Sequence, residues 1–242
     1  MLQALIYGVV TGFSLVAGAL TGIVLHLKRR VIARFMAFGA GVLLCALTIG
    51  LMEEAFRLGG FDAVIIGFLL GGIVFVAGDY LIHLRGGRKH KSGHQIGGAN
   101  SNGTAITFGA FLDGIPESIA LGIAIFSGRD LGILMLVAII LSNFPEGISS
   151  VGDLYREGYK KSQILLIWIV VALLMVITTF ASYSFLYSLD PNNIGIAQAF
   201  AAGAILAMLA DTMMPEAFEE GGFSIGILTL LGFLLAFIIA RV

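Results

Sequence analysis

At 242 residues, with 58% hydrophobic and 12% charged side chains and a mean hydropathy of +1.00, the chain is much more apolar than a soluble domain. A water-soluble globular protein is excluded, no nucleic-acid partner is expected, and the bilayer is the expected environment. The net charge of -1 says little, because the signs are unevenly distributed along the chain. Cys45 is the only cysteine, which rules out a disulfide framework and a multi-cysteine metal site.

Eight apolar stretches of spanning length follow in order: about 3–27, 33–56, 62–84, 104–127, 131–153, 163–188, 194–217 and 222–241. The chain runs from Met1 straight into the first, with no charged leader or cleavage site, so this reads as a transmembrane helix and not a signal peptide. The connection after span one carries Lys28, Arg29, Arg30 and Arg34. The connection after span three carries Arg85, Arg88, Lys89 and Lys91, and that after span five Arg156, Lys160 and Lys161. In an eight-span chain these three connections share one side. The positive-inside rule makes that side cytoplasmic and places both termini outside. Residues 85–103, rich in Gly, Ser and Asn, read as a flexible cytoplasmic loop. Its His90 and His94, with His83 just before it, are either a low-affinity metal collector or part of a basic, solvated loop that fixes topology. Composition favours the second.

An internal repeat accompanies the hydropathy. Residues 37–44 (AFGAGVLL) match 199–206 (AFAAGAIL), 52–56 (MEEAF) match 214–218 (MPEAF), and 59–61 match 221–223, all at an offset of 162 without a gap. Spans two and seven are therefore counterparts, and five spans of separation make them cross in opposite senses. The expected fold is one all-α membrane domain over 1–242, with eight transmembrane helices in an inverted 3+2+3 repeat around a central helix pair. Glycines four apart (Gly8 and Gly12, Gly18 and Gly22, Gly67 and Gly71, Gly222 and Gly226) read as helix-packing faces.

The central pair, spans four and five, carries the chemistry. Each has a Pro-Glu pair inside an apolar run: Pro116-Glu117, with Asp113 one turn before, and Pro145-Glu146, with Ser142 and Asn143 one turn before. Residues four apart share a helix face, so the two polar faces can meet. Each proline is expected to kink its helix and free the carbonyl of Leu112 or Leu141, for which a cation is one candidate partner. No Lys or Arg lies at hydrocarbon depth to pair with Asp113, Glu117 and Glu146, and such a cluster takes up protons or holds a cation. Compact oxygen ligands describe a divalent-metal site. Glu54 and Glu216, repeat-related and at opposite ends, read equally as gate or relay carboxylates or as solvated interfacial residues. Asp211, one turn before Pro215, is expected to face the central pair.

These motifs resemble the ZIP (Zrt-, Irt-like protein) divalent metal transporters, particularly the short prokaryotic members. That family typically reads His-Asn-x-Pro-Glu-Gly in helix four, where this chain has Asp113, Gly114, Ile115, Pro116, Glu117 and Ser118. Pro145-Glu146-Gly147 matches its helix-five motif, and Glu216 its helix-seven Pro-Glu. The resemblance implies metal ligation by Glu117, Asn143 and Glu146, and less directly by Asp113 and Ser142. It also implies an inner-membrane location, a homodimer, and transport rather than enzymatic activity, with no organic cofactor. Zinc is the metal the family implies. The loss of His at 113 and Asn at 114 points instead to harder ions such as Mn2+ or Fe2+, with Cd2+ also in range, and to one metal position in place of two. Two alternatives remain at this stage. A metal sensor could keep the fold without transport, and an intramembrane hydrolase could also pair carboxylates, although its usual motifs are absent.

Overall fold

The structure, a computed structural model, describes residues 1–25, 27–84 and 103–241. His90 and His94 lie outside the described residues, and His83 falls in the last turn of a helix. Among the described residues the chain is almost entirely helical. The elements are α1 (Leu2–Val24), α2 (Arg29–Cys45), a π-helical segment (Ala46–Met52), α3 (Glu53–Leu84), α4 (Gly103–Ser127), α5 (Arg129–Arg156), α6 (Lys161–Phe185), α7 (Pro191–Met208), a second π-helical segment (Leu209–Met213), α8 (Met214–Gly221) and α9 (Ile225–Ile239).

Five stretches of the described residues are long and apolar enough to cross a membrane: Leu2–Val24, Arg29–Leu81, Arg129–Arg156, Lys161–Ser188 and Pro191–Ile239. The second and fifth run to 53 and 49 residues, more than twice the roughly 20 a bilayer core requires. Each is interrupted by one glycine. Gly60 adopts φ 64, ψ -161, and Gly222 φ 67, ψ -154, a conformation essentially closed to residues with a Cβ. The two stand at the repeat offset of 162. Each π-helical segment lies shortly before its glycine. In the second, Pro215 cannot donate to the carbonyl of Asp211, which loosens the turn there.

Packing divides the helices into two groups. α1 packs on α5 and α6, and α4 packs on α5 and α6. α2 packs on α9, and α3 on α7, while α2–α5 and α4–α7 join the groups. The crossings are close because small residues occupy them. A Cβ at Gly41 would overlap the carbonyl oxygen of Thr229, and one at Gly232 that of Phe38. A Cβ at Gly203 would overlap the Phe68 carbonyl, and one at Gly71 that of Phe200. Each crossing thus carries reciprocal glycine–carbonyl contacts, the packing used where lipid offers no hydrophobic drive between helices. Gly18 and Gly147 do the same for α1 on α5. Outward faces are the inverse of a soluble surface: Phe61 is 71% exposed on α3 and Leu230 71% on α9, along apolar stripes suited to acyl chains.

A test follows from Gly226, where an added Cβ meets nothing within 4 Å. Gly41→Ala and Gly203→Ala are each expected to cost about 1–3 kcal/mol through forced backbone separation, whereas Gly226→Ala gains up to about 1 kcal/mol of helix propensity. Thermal unfolding midpoints in detergent check this, and equal midpoints for all three variants would contradict these crossings.

Candidate functional site

The polar residues of the central pair come together in the interior. Asp113 (5% exposed), Glu117, Ser142 and Asn143 are all buried, and Glu146 is half-buried on the same face of α5 as Ser142 and Asn143. The contact that joins the helices is a 2.9 Å hydrogen bond in which Ser142 Oγ donates to Glu117 Oε1. The same hydroxyl lies 3.1 Å from the carbonyl of Ile139, and its single hydrogen serves one acceptor at a time. Glu117 Oε2 is buried with no hydrogen-bond partner among the described residues. Ser118 Oγ donates to the Gly114 carbonyl at 2.7 Å.

α4 and α5 each continue as one helix through Pro116 and Pro145. The carbonyl of Leu141, which Pro145 cannot bond, faces α2: a Cβ at Gly39 would stand 2.6 Å from its oxygen. A helix crossing therefore covers that carbonyl, in place of the cation considered from the sequence. The glycine is what leaves it room.

Two contacts of Asn143 come from helices outside the central pair, and one of them involves a residue that no motif in the sequence marks, Met175. Asn143 Nδ2 donates to the Thr11 carbonyl of α1 at 3.4 Å and lies 3.8 Å from Met175 Sδ of α6. Met175 is buried, and its Cγ and Sδ stand 3.5 and 3.6 Å from where a Cβ of Gly114 would be. The apolar α6 gives no sign in sequence that its one methionine enters a polar site; the missing side chain at Gly114 is the available hint. Among the described residues, no three His, Cys, Asp or Glu side chains form a group able to hold a metal. The interior polar groups are accordingly mixed in type: carboxylates and a hydroxyl where α4 meets α5, and a side-chain amide with a thioether beside it.

A cavity of about 310 Å³ opens at the end of the bundle where α1 ends and α2 begins. Its rim holds Arg29, Asp153, Arg156 and Glu220, and Met36, Ser149, Asp211, Thr212 and Glu216 also line it. Arg29 bridges Glu220 at 2.9 Å and Asp153 at 3.3 Å, and Arg156 meets Asp153 at 3.3 Å. These pairs are well exposed and each is worth at most about 1 kcal/mol. Ser149 Oγ donates to the Glu216 carboxylate, so Glu216 ties α8 to α5 three residues beyond Glu146. Its repeat counterpart Glu54 instead accepts from Arg57 on its own helix, at 2.7 Å from Nε. Asp211 lies in the cavity wall, within the second π-helical segment.

Comparison with known proteins agrees with the motifs. Zinc transporter zipt-7.2 of Caenorhabditis elegans is 25% identical over 119 residues, which covers 47% of this chain and 25% of that protein. The chain thus spans about a quarter of the length of that curated relative. Residues 81–240 match the family model described as ZIP Zinc transporter, well over half of the chain and the whole of α4 to α9. A match of that extent, over the helices that pair Glu117 with Ser142, makes the chain a member of the ZIP zinc transporter family.

Proposed function

We propose that the protein carries divalent metal cations across a membrane, taking them at the facing polar sides of α4 and α5. The supporting observation is continuity. The buried Ser142 and Asn143, which face Asp113 and Glu117, lie about two turns of α5 before Ser149, with Glu146 between them, and Ser149 and Glu216 line the cavity from the basic end. Glu117, with one oxygen held by Ser142 and the other bare, is the first ligand; Asp113, Glu146 and Asn143 complete the set, and Ser142 orients Glu117. By the positive-inside rule the basic end is cytoplasmic, and the direction proposed is inward, toward that end, as the family resemblance implies.

Eight crossings in an inverted 3+2+3 repeat account for this architecture. Support comes from the shared glycine breaks at Gly60 and Gly222, the two π-helical segments, and packing in which α2 on α9 corresponds to α7 on α3. The moving unit is the α1, α4, α5, α6 group, which rocks or slides against α2, α3, α7 and α9. Zinc is the favoured cargo. The carboxylates alone suit harder ions, whereas the Met175 thioether beside Asn143 adds a soft donor that suits Zn2+ and Cd2+.

Uptake of Zn2+, Cd2+, Mn2+ and Fe2+ into proteoliposomes tests this reading. Glu117→Ala and Glu146→Ala should abolish uptake while inserting normally, and unchanged uptake by both would end the proposal. Ser142→Ala should weaken apparent metal affinity about 10- to 100-fold, the usual effect of losing a group that orients a ligand. Met175→Leu keeps volume and removes sulfur, so Zn2+ and Cd2+ uptake should fall relative to Mn2+; an unchanged rank order would remove the thioether from the site.

A further inference from the structure

Two helix groups that slide past each other need closures that open in turn, and the repeat allows the two ends of the bundle to be compared residue by residue. At the end away from the cavity, Gln198 of α7 is fully buried and its Nε2 donates to Ser127 Oγ, on the last residue of α4, at 2.8 Å. This bond joins one helix group to the other. The offset of 162 carries Gln198 onto Met36, and the 29-residue step from Pro116-Glu117 to Pro145-Glu146 carries Ser127 onto Arg156. Met36 and Arg156 both line the open cavity. Since α5 runs from Arg129, two residues after Ser127, to Arg156, the two locations lie at opposite ends of one helix. The same pair of positions is therefore bonded shut at one end and parted at the other.

The closure is half satisfied. Gln198 Oε1 is buried with no hydrogen-bond partner among the described residues, although the amide's nitrogen is bonded. Water reaching this end would meet that oxygen, which suits a contact that must break and reform. Resting on the transport reading above, we infer that the Ser127–Gln198 hydrogen bond is the latch that closes the end opposite the cavity, and that the metal reaches Asp113 and Glu117 from that end when it is released.

The test uses the full-length protein with Cys45, the only native cysteine, replaced by Ala and a reporter thiol at Leu134→Cys. Leu134 is 3% exposed and packs 3.5 Å from the position of a Cβ on Gly50, between the two helix groups near the start of α5. A charged, membrane-impermeant thiol reagent is applied to that side in proteoliposomes. Ser127→Ala leaves both polar atoms of Gln198 unmet in the closed form and should raise labelling about fivefold, the population change expected from one neutral hydrogen bond. Gln198→Met installs the repeat counterpart and removes the unmet atoms, so adding it to Ser127→Ala should return labelling to the background rate. Ser127→Thr, which keeps the hydroxyl, should label as the background does. Labelling unchanged by Ser127→Ala, or as fast in the double variant as in Ser127→Ala alone, would overturn the latch. Metal uptake by the reporter background is measured separately: its absence would remove the transport reading, while the labelling comparison still decides the closure.

Discussion

The whole arrangement depends on how closely helix backbones can approach. Asp113 and Glu117 could not be buried against Ser142 and Asn143 unless α4, α5, α1 and α2 converged, and the convergence is set by glycines. Gly18 and Gly147 lock α1 to α5 by facing the carbonyls of Phe144 and Leu15, and Gly39 seats α2 over the Leu141 carbonyl. In lipid there is no gain from merely hiding apolar side chains, so close contact and satisfied polar groups have to supply the cohesion. The Leu141 carbonyl shows the two demands met at once. The proline that breaks its hydrogen bond and the glycine that accepts its approach lie on neighbouring helices.

Much of this was legible because it is written in periodicity. Hydropathy located the apolar stretches, and the 162-residue offset anticipated that Gly60 and Gly222 would behave alike, as their near-identical dihedrals show. The Pro-Glu motifs located the interior polar residues, since Ser142 and Glu117 meet across α4 and α5. What escaped was whatever depends on a neighbour distant in sequence. Met175 stands in an apolar run and differs from its lipid-facing neighbours only through Asn143 and Gly114. Gln198 looked like one polar residue in a small-residue helix until its bond to Ser127 was seen. Likewise Glu54 and Glu216 are equivalents in sequence, yet one is held by Arg57 on its own helix and the other by Ser149 across a helix boundary.

The repeat is most informative where its halves differ. Both carry a π-helical segment, but only the second has a proline behind it: Glu53 stands where Pro215 does. Pro215 therefore accounts for the turn at Asp211 and leaves the turn at Ala46–Met52 without the same cause. A widened turn does not require a proline, although a proline favours it. In the second half the segment places Asp211 in the cavity wall, so a backbone irregularity common to both halves has a polar consequence in one.

The same reasoning bears on the metal. Relative to the ZIP pattern, α4 has lost an imidazole, replaced by the Asp113 carboxylate, and a side-chain amide, replaced by Gly114. The second loss leaves space, and Met175 of α6 occupies it, within 3.6 Å of where a Cβ at 114 would be and 3.8 Å from the Asn143 amide. Where the ZIP pattern has a side-chain amide on α4, this chain has a thioether approaching from α6. Carboxylate oxygens prefer hard ions and a thioether prefers soft ones, so in the proposed site Gly114 and Met175 have to be interpreted together.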